Sequence, residues 1–222
     1  PVLGRPVIDY VKDAMVAAGL SQIIVTTGYQ GEQLIEHVAT WNVSSRVNQE
    51  DSPMGTAGSV RLLSDELKET FVVGSGDSVA SFDIADLLES HRKSGAKVTM
   101  ALWRVDDPTE FGIVGLSNEN QGEVDSELTE GYISRFKEKP TADEAFSNLI
   151  NAGLYIIEPE VMELIPPGEK YDFSKQLFPD VLSRGWPMYA KTVNGIWFDV
   201  GHPFELHNAQ MALIAGRDNL PF

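Results

Sequence analysis

Apolar positions first recur at helical spacing. Val7, Val11, Met15 and Ala18 fall on one face of the segment from Pro6 to Leu20, which Gly19 closes. A β-branched run from Gln22 to Thr27 ends at Gly28 and predicts a strand. Leu34, Ile35 and Val38 then share a face of a second helix that begins at Glu32 and extends towards Trp41. Thr56 stands where it would cap a short helix through Leu63. Phe71 to Gly74 reads as a brief apolar strand running into Ser75, Gly76 and Asp77. Asp83 predicts the N-cap of a helix reaching Ser94, which Gly95 stops, and Lys97 to Val105 is the next strand.

Strands alternate with helices up to this point, a pattern that predicts a doubly wound parallel sheet. Beyond Asp107 the texture changes. Gly112 to Leu116 and Tyr132 to Lys137 read as short strands on either side of a polar stretch, a hairpin excursion. Asn151 to Ile157 is a strand, with a helix near Pro159 to Ile165. A further helix over Ser174 to Arg184 contains Pro179, which is expected to kink or split it. Met188 to Val193 and Ile196 to Val200 are the last strands, and Phe204 to Ala215 a closing helix. With no repeat, low-complexity tract or linker, residues 1–222 are read as one α/β domain.

Composition narrows the function classes. The formal net charge of −16 argues against broad nucleic-acid binding, which needs a basic face to displace counterions. It leaves room for a nucleotide substrate held by a few lysines and a metal ion. There is no cysteine, which excludes disulfides and thiolate metal sites and fits the cytoplasm. No stretch approaches the ~20 apolar residues of a membrane helix.

Four places carry candidate chemistry, each with a plainer alternative. In Phe71-Val-Val-Gly-Ser-Gly-Asp77 an apolar strand delivers one carboxylate into a Gly-rich turn, at the sheet edge where open α/β folds bind ligands. Asp77 there suits a hard cation, or simply caps the following helix. Asp199, in Ile196-Trp-Phe-Asp-Val-Gly201, repeats the setting and taken singly is more often an N-cap. Gly55-Thr-Ala-Gly58 admits a ring or phosphate close to the backbone, or is a tight loop chosen for packing. Glu138 and Lys139, fixed before Pro140, suit sugar hydroxyls and a sugar phosphate, or form a solvated strand end. His37, His91, His202 and His207 show no metal-ligand spacing and read as helix-surface or loop residues.

The order of these elements is more specific than any one of them. Gly55-Thr-Ala-Gly-Ser-Val60, Gly76-Asp77, Phe111-Gly-Ile-Val114, Phe136-Lys-Glu-Lys-Pro140, Asn151-Ala-Gly-Leu-Tyr155, Asp172-Phe173 with Leu177-Phe-Pro179, and Trp197-Phe-Asp-Val-Gly201 occur in succession. This run resembles the sugar-1-phosphate nucleotidyltransferases over essentially the whole chain. The resemblance implies a Rossmann-like mixed, mostly parallel sheet flanked by helices, with a small β excursion for the sugar. It implies transfer of a nucleoside monophosphate from a nucleoside triphosphate to a sugar 1-phosphate with release of pyrophosphate. Asp77 and Asp199 would be the Mg2+ ligands and, with Lys139, the catalytic set. Gly55 and Thr56 would approach the nucleotide, with Glu50 near the base. Gly112, Glu138, Lys139, Asn151 and Gly153 would hold the sugar phosphate.

A carboxylate at Glu50 only accepts hydrogen bonds, which suits the N1–H and N2–H2 donors of guanine and points to a GDP-mannose-type product. Gln49 beside it would instead suit thymine or uracil. Family members open with a strand and a Gly-rich loop of the form GGxGTRL. The chain is expected to lack both, and also the C-terminal β-helix that many relatives carry. The rival expectation is a non-catalytic regulatory subunit of the same family. The sequence leaves the sugar open and also the oligomeric state, a homo-oligomer included.

Overall fold

The structure, a computed structural model, describes residues 1–28 and 31–216. Helix α1 (Ile8–Ala17) turns Val11, Ala14 and Met15 inward, and β1 (Gln22–Thr27) has the expected bounds. After α2 (Glu32–Val38) comes β2 (Ser44–Gln49), which pairs parallel to β1 from Gln22–Ser44 to Thr27–Gln49. Its sequence, Ser-Ser-Arg-Val-Asn-Gln, holds one aliphatic residue, so no apolar alternation marks it as a strand.

Helix α3 (Gly55–Arg61), β3 (Phe71–Gly74), β4 (Ser78–Ala80), α4 (Ile84–Ser94) and β5 (Val98–Arg104) follow. Strands β6 (Gly112–Ser117), β7 (Glu130–Glu138) and β8 (Leu149–Ile157) lead to a 3-10 turn at Pro159–Leu164. The helix foreseen around Pro179 divides into a π-turn, Phe173–Leu177, and α5 (Phe178–Ser183), the break falling just before the proline. Strands β9 (Met188–Thr192) and β10 (Trp197–Asp199) and helix α6 (Pro203–Ala215) complete the chain.

Six strands form one mixed sheet in the order β3-β8-β5-β9-β7-β6. Strands β3, β5, β9 and β6 run one way, and β8 and β7 the other. Strand β8, from the second half of the chain, thus inserts between β3 and β5 and opposes both. Its sequence is apolar on both faces, which suits a central position. The β6–β7 hairpin is continuous with this sheet, and β6 pairs back onto β8 at Ile113–Ile150. Every residue of β6 is buried, which explains why the hairpin is drawn into the core.

The two faces of the sheet carry separate cores. Met100, Leu102 and Ile157 pack with Phe173, Leu177 and Phe178 on one side. Ala101, Leu154 and Ile156 meet α1 and α4 through Met15, Ile84 and Leu87 on the other. The period-2 alternation along β5 and β8 makes this division. Each fully buried Leu, Ile or Phe here contributes roughly 1.5–3 kcal/mol.

His91 departs from its expected surface position. It is 2% exposed, lies on the inward stripe of α4 with Ile84 and Leu87, and bonds Thr99 Oγ1 at 2.7 Å and Glu158 Oε1 at 3.0 Å. No helix among the described residues is long and apolar enough to cross a membrane.

Candidate active site

Asp77 and Asp199 meet through a small two-stranded ladder. Strand β4 pairs antiparallel with β10, and Asp199 faces Ser78 across it. The Val200 N–H donates to the carbonyl of Asp77 at 3.4 Å, so the two aspartates lie on adjoining backbone. The expected common sheet edge is corrected in detail. Asp77 follows β3 of the main sheet, whereas β10 pairs only with β4 among the described residues. Both aspartates are exposed, and among the described residues neither forms an ion pair with a cationic side chain. Among the described residues Asp199 Oδ1 accepts from its own turn alone, Gly201 N–H at 3.2 Å, and it is His202 that caps α6.

Strand β8 brings Asn151 and Gly153 to the same place. Opposite β5 its register steps from Tyr155 to Asn151 while β5 advances only from Met100 to Leu102, so β8 bulges. Gly153 sits in this bulge at φ +75°, a conformation that favours glycine, and its carbonyl accepts from Ser75 N–H at 2.9 Å. The loop leading to Asp77 is thereby tied to β8. Asn151 bridges the bulge, accepting from Gly153 N–H at 2.9 Å and donating to Tyr155 Oη at 2.8 Å and Ser174 Oγ at 3.3 Å. Burial pushes the Tyr155 hydroxyl well above its ordinary pKa, and the charges of Asp172, Glu138 and Asp77 add to the shift. The charges of all three carboxylates thus act on one buried phenol.

Gly112 and Glu138 face each other across the β6–β7 ladder. A β-carbon on Gly112 would lie 2.8 Å from Glu138 Oε2, so the glycine leaves room for that carboxylate. Partial burial raises the Glu138 pKa, with Asp172 adding to the effect and Lys139, Ser174 and Lys175 opposing it. Lys139 adopts φ +45°, a strained value for a non-glycine residue, and its ammonium lies 3.6 Å from exposed Glu110.

The Gly55–Thr56 segment reaches this group from the other side. Gly55 has φ +77°, and a β-carbon there would stand 2.5 Å from the Tyr171 carbonyl oxygen. That oxygen also accepts from Ala57 and Gly58 N–H, both at 3.0 Å. Close packing on Tyr171 therefore accounts for this glycine. Thr56 does not cap α3, as its position had suggested. It lies within the helix, donates to Asp172 Oδ2 at 3.0 Å and accepts from Phe173 N–H at 3.0 Å. Glu50 closes the preceding turn, its Oε2 accepting from Met54 N–H at 3.2 Å.

A family model described as nucleotidyl transferase matches residues 1–216. The chain belongs to the nucleotidyl transferase family. It is 32% identical over 206 residues to a protein of Saccharomyces cerevisiae named mannose-1-phosphate guanyltransferase, covering 90% of this chain and 54% of that one. It is 28% identical over 218 residues to a UTP–glucose-1-phosphate uridylyltransferase of Synechocystis, covering 90% and 53%. The chain thus spans about half the length of the curated relatives it matches. A solved UDP-glucose pyrophosphorylase from Acinetobacter baumanii superposes with a TM-score of 0.81 at 21% identity, covering 99% of this chain and 86% of that one. That likeness shows a shared fold.

Four candidate-site residues have no role assigned from the sequence: Tyr155, Asp172, Ser174 and Trp197. Three of them lie inside the ordered motifs, and Asp172-Phe-Ser174 has the spacing of a side-chain cap, which was the available signal.

Proposed function

We propose that this protein moves a nucleoside monophosphate from a nucleoside triphosphate to a sugar 1-phosphate and releases pyrophosphate. Guanosine triphosphate and mannose 1-phosphate are the favoured pair. The observation that carries this reading is the convergence of Asp77 and Asp199 on adjoining backbone, tied through Ser75 and Gly153 to the strand that bears Asn151.

These residues fit Mg2+. Among the described residues these two exposed carboxylates have no cationic partner and offer hard oxygen ligands, and no third acidic or histidine side chain there joins them in a metal-holding group. Mg2+ commonly takes one or two carboxylates and completes its shell with phosphate oxygens and water. When bound, it neutralises charge on the reacting phosphates.

The chain's own residues supply position. Asn151, held by Gly153 and Ser174, and Glu138, given room by Gly112, form a polar wall for sugar hydroxyls. Lys139 offsets repulsion between two anionic substrates. The attacking phosphate oxygen is already ionised, so no side chain needs to remove a proton. The guanine preference rests on Glu50, whose carboxylate only accepts, and on the similarity to the guanyltransferases.

The test is pyrophosphate release by the full-length protein across a panel of triphosphates and sugar 1-phosphates. Release that requires both substrates, fastest with guanosine triphosphate and mannose 1-phosphate, is expected. Preference for uridine or thymidine triphosphate would overturn the base assignment, and no release from any pair would overturn the activity.

A further inference from the structure

We infer that Asp172 is a positioning residue that holds the nucleotide side of the site in register with its sugar-phosphate side. This rests on the transfer activity proposed above.

The two sides are far apart in the chain and share no strand. Gly55 and Thr56 begin α3, whereas Glu138 and Asn151 stand on β7 and β8. Asp172 links them through different oxygens, one bonded to Thr56 and the other to the turn that carries Ser174. Its Oδ2 accepts from the Thr56 hydroxyl at 3.0 Å, and the same hydroxyl oxygen accepts from Phe173 N–H at 3.0 Å. The two bonds make a closed clamp between α3 and the 172–177 turn. Its Oδ1 accepts from Ser174 N–H and Lys175 N–H, both at 3.0 Å, and so caps that turn.

The capped turn carries the link onward. Ser174 Oγ accepts from Asn151 Nδ2 at 3.3 Å, and Ser174 is among the groups that hold the Glu138 pKa down against its burial. A run of hydrogen bonds therefore joins Thr56 to Asp172, to the Ser174 backbone, and through the Ser174 side chain on to Asn151. Asp172 stands between Thr56 and Ser174 in that run, with one carboxylate oxygen turned to each. Its carboxylate makes three of the bonds described, whereas sugar-side contacts of Thr56 all pass through the 172–173 pair.

Thr56→Val gives the sharpest test, because it removes the hydroxyl, keeps the branched shape and alters an exposed side chain. The hydrogen bonds of Thr56 go to Asp172 and Phe173, with none to Glu138, Asn151 or Ser174. In the full-length enzyme, Thr56→Val and Asp172→Ala are each expected to raise the KM for the sugar 1-phosphate about fivefold, the effect of one hydrogen bond. The double variant should be no worse than Asp172→Ala alone. Asp172→Asn keeps a carbonyl oxygen for the Ser174 and Lys175 N–H groups and should restore the KM to within about twofold of wild type. A residue that merely holds the fold would lower Tm and the amount of active enzyme with both KM values unchanged.

Wild-type turnover together with an unchanged sugar-phosphate KM in Thr56→Val overturns this inference alone, and it decides the matter even if Asp172→Ala does not fold. A wild-type protein that turns over no pair of substrates overturns the activity and this inference with it.

Discussion

The indole N–H of Trp197 donates to the carbonyl of Ala152 at 2.9 Å, and this bond fastens the strand that carries Asp199 to the bulge that carries Asn151 and Gly153. The same indole packs edge-on against Phe111, with ring centroids 5.7 Å apart, immediately before Gly112. One side chain thus braces three of the ordered motifs against each other. Trp197→Phe retains most of the apolar contact and loses the donor, leaving the Ala152 carbonyl without it. Stability should fall by about 1–3 kcal/mol, the cost of stranding a buried polar group. With Asp199 less firmly placed, kcat/KM should fall about tenfold. Denaturant unfolding and steady-state kinetics on the same variant check both, and unchanged kinetics would show that the bond does not position Asp199.

Gly55 separates a packing role from a nucleotide role. At φ +77°, with the Tyr171 carbonyl oxygen 2.5 Å from where a β-carbon would go, Gly55→Ala meets backbone that cannot swing aside. A loss of about 2–3 kcal/mol is expected without any ligand present. Thermal unfolding of the ligand-free variant is the measurement. Unaltered stability combined with a raised KM for the triphosphate would mean that the glycine serves the nucleotide instead.

How much of this was legible in the sequence depends on the range of the interaction that decides each feature. Asp83 and Gly95 bound α4 because capping chemistry is local, and Asp83 does accept from Asp86 N–H at 3.0 Å. The bounds of β1 and β3 were equally local, set by short apolar runs. Strand β2 was not legible, since its polar residues are recruited by the backbone of β1. Nor was the insertion of β8 between β3 and β5, which depends on pairing Gly74 with Leu154 across 80 residues of chain. In the site, Asp77 and Asp199 stood out as carboxylates at strand ends. The Thr56–Asp172 bond spans 116 residues and leaves no periodic trace. His91 was readable and was misread, because its spacing from Ile84 and Leu87 already placed it on the buried stripe.

Glu138 should trade stability for binding. Burial, aided by the nearby charge of Asp172, raises its folded-state pKa above the unfolded value. Between those two values the folded state holds more protons, so this group's contribution to stability declines as pH rises through the window and stays unfavourable above it. Glu138→Gln removes the ionisation. The variant should therefore be more stable than wild type at neutral pH, and the advantage should vanish as pH falls below the ordinary carboxylate range. Its affinity for the sugar phosphate should drop about tenfold or more, since bonds to a charged acceptor are lost. Unfolding curves across pH for both proteins test the sign. A variant less stable than wild type at neutral pH would contradict it.

The central claim is that Asp77 and Asp199, joined across the β4–β10 ladder, act as one unit in phosphoryl transfer. Turnover of Asp77→Asn, Asp199→Asn and the double variant at saturating substrates and Mg2+ tests it most directly. Each single change should lower kcat about 10²–10³-fold, as expected for loss of one preorganised electrostatic element. Tm should hardly move, because both side chains are exposed. The double variant should be slower than the worse single by no more than about threefold, since residues that work together do not lose their effect twice. Near-wild-type turnover in either single variant, or two losses that multiply in the double, would contradict the account.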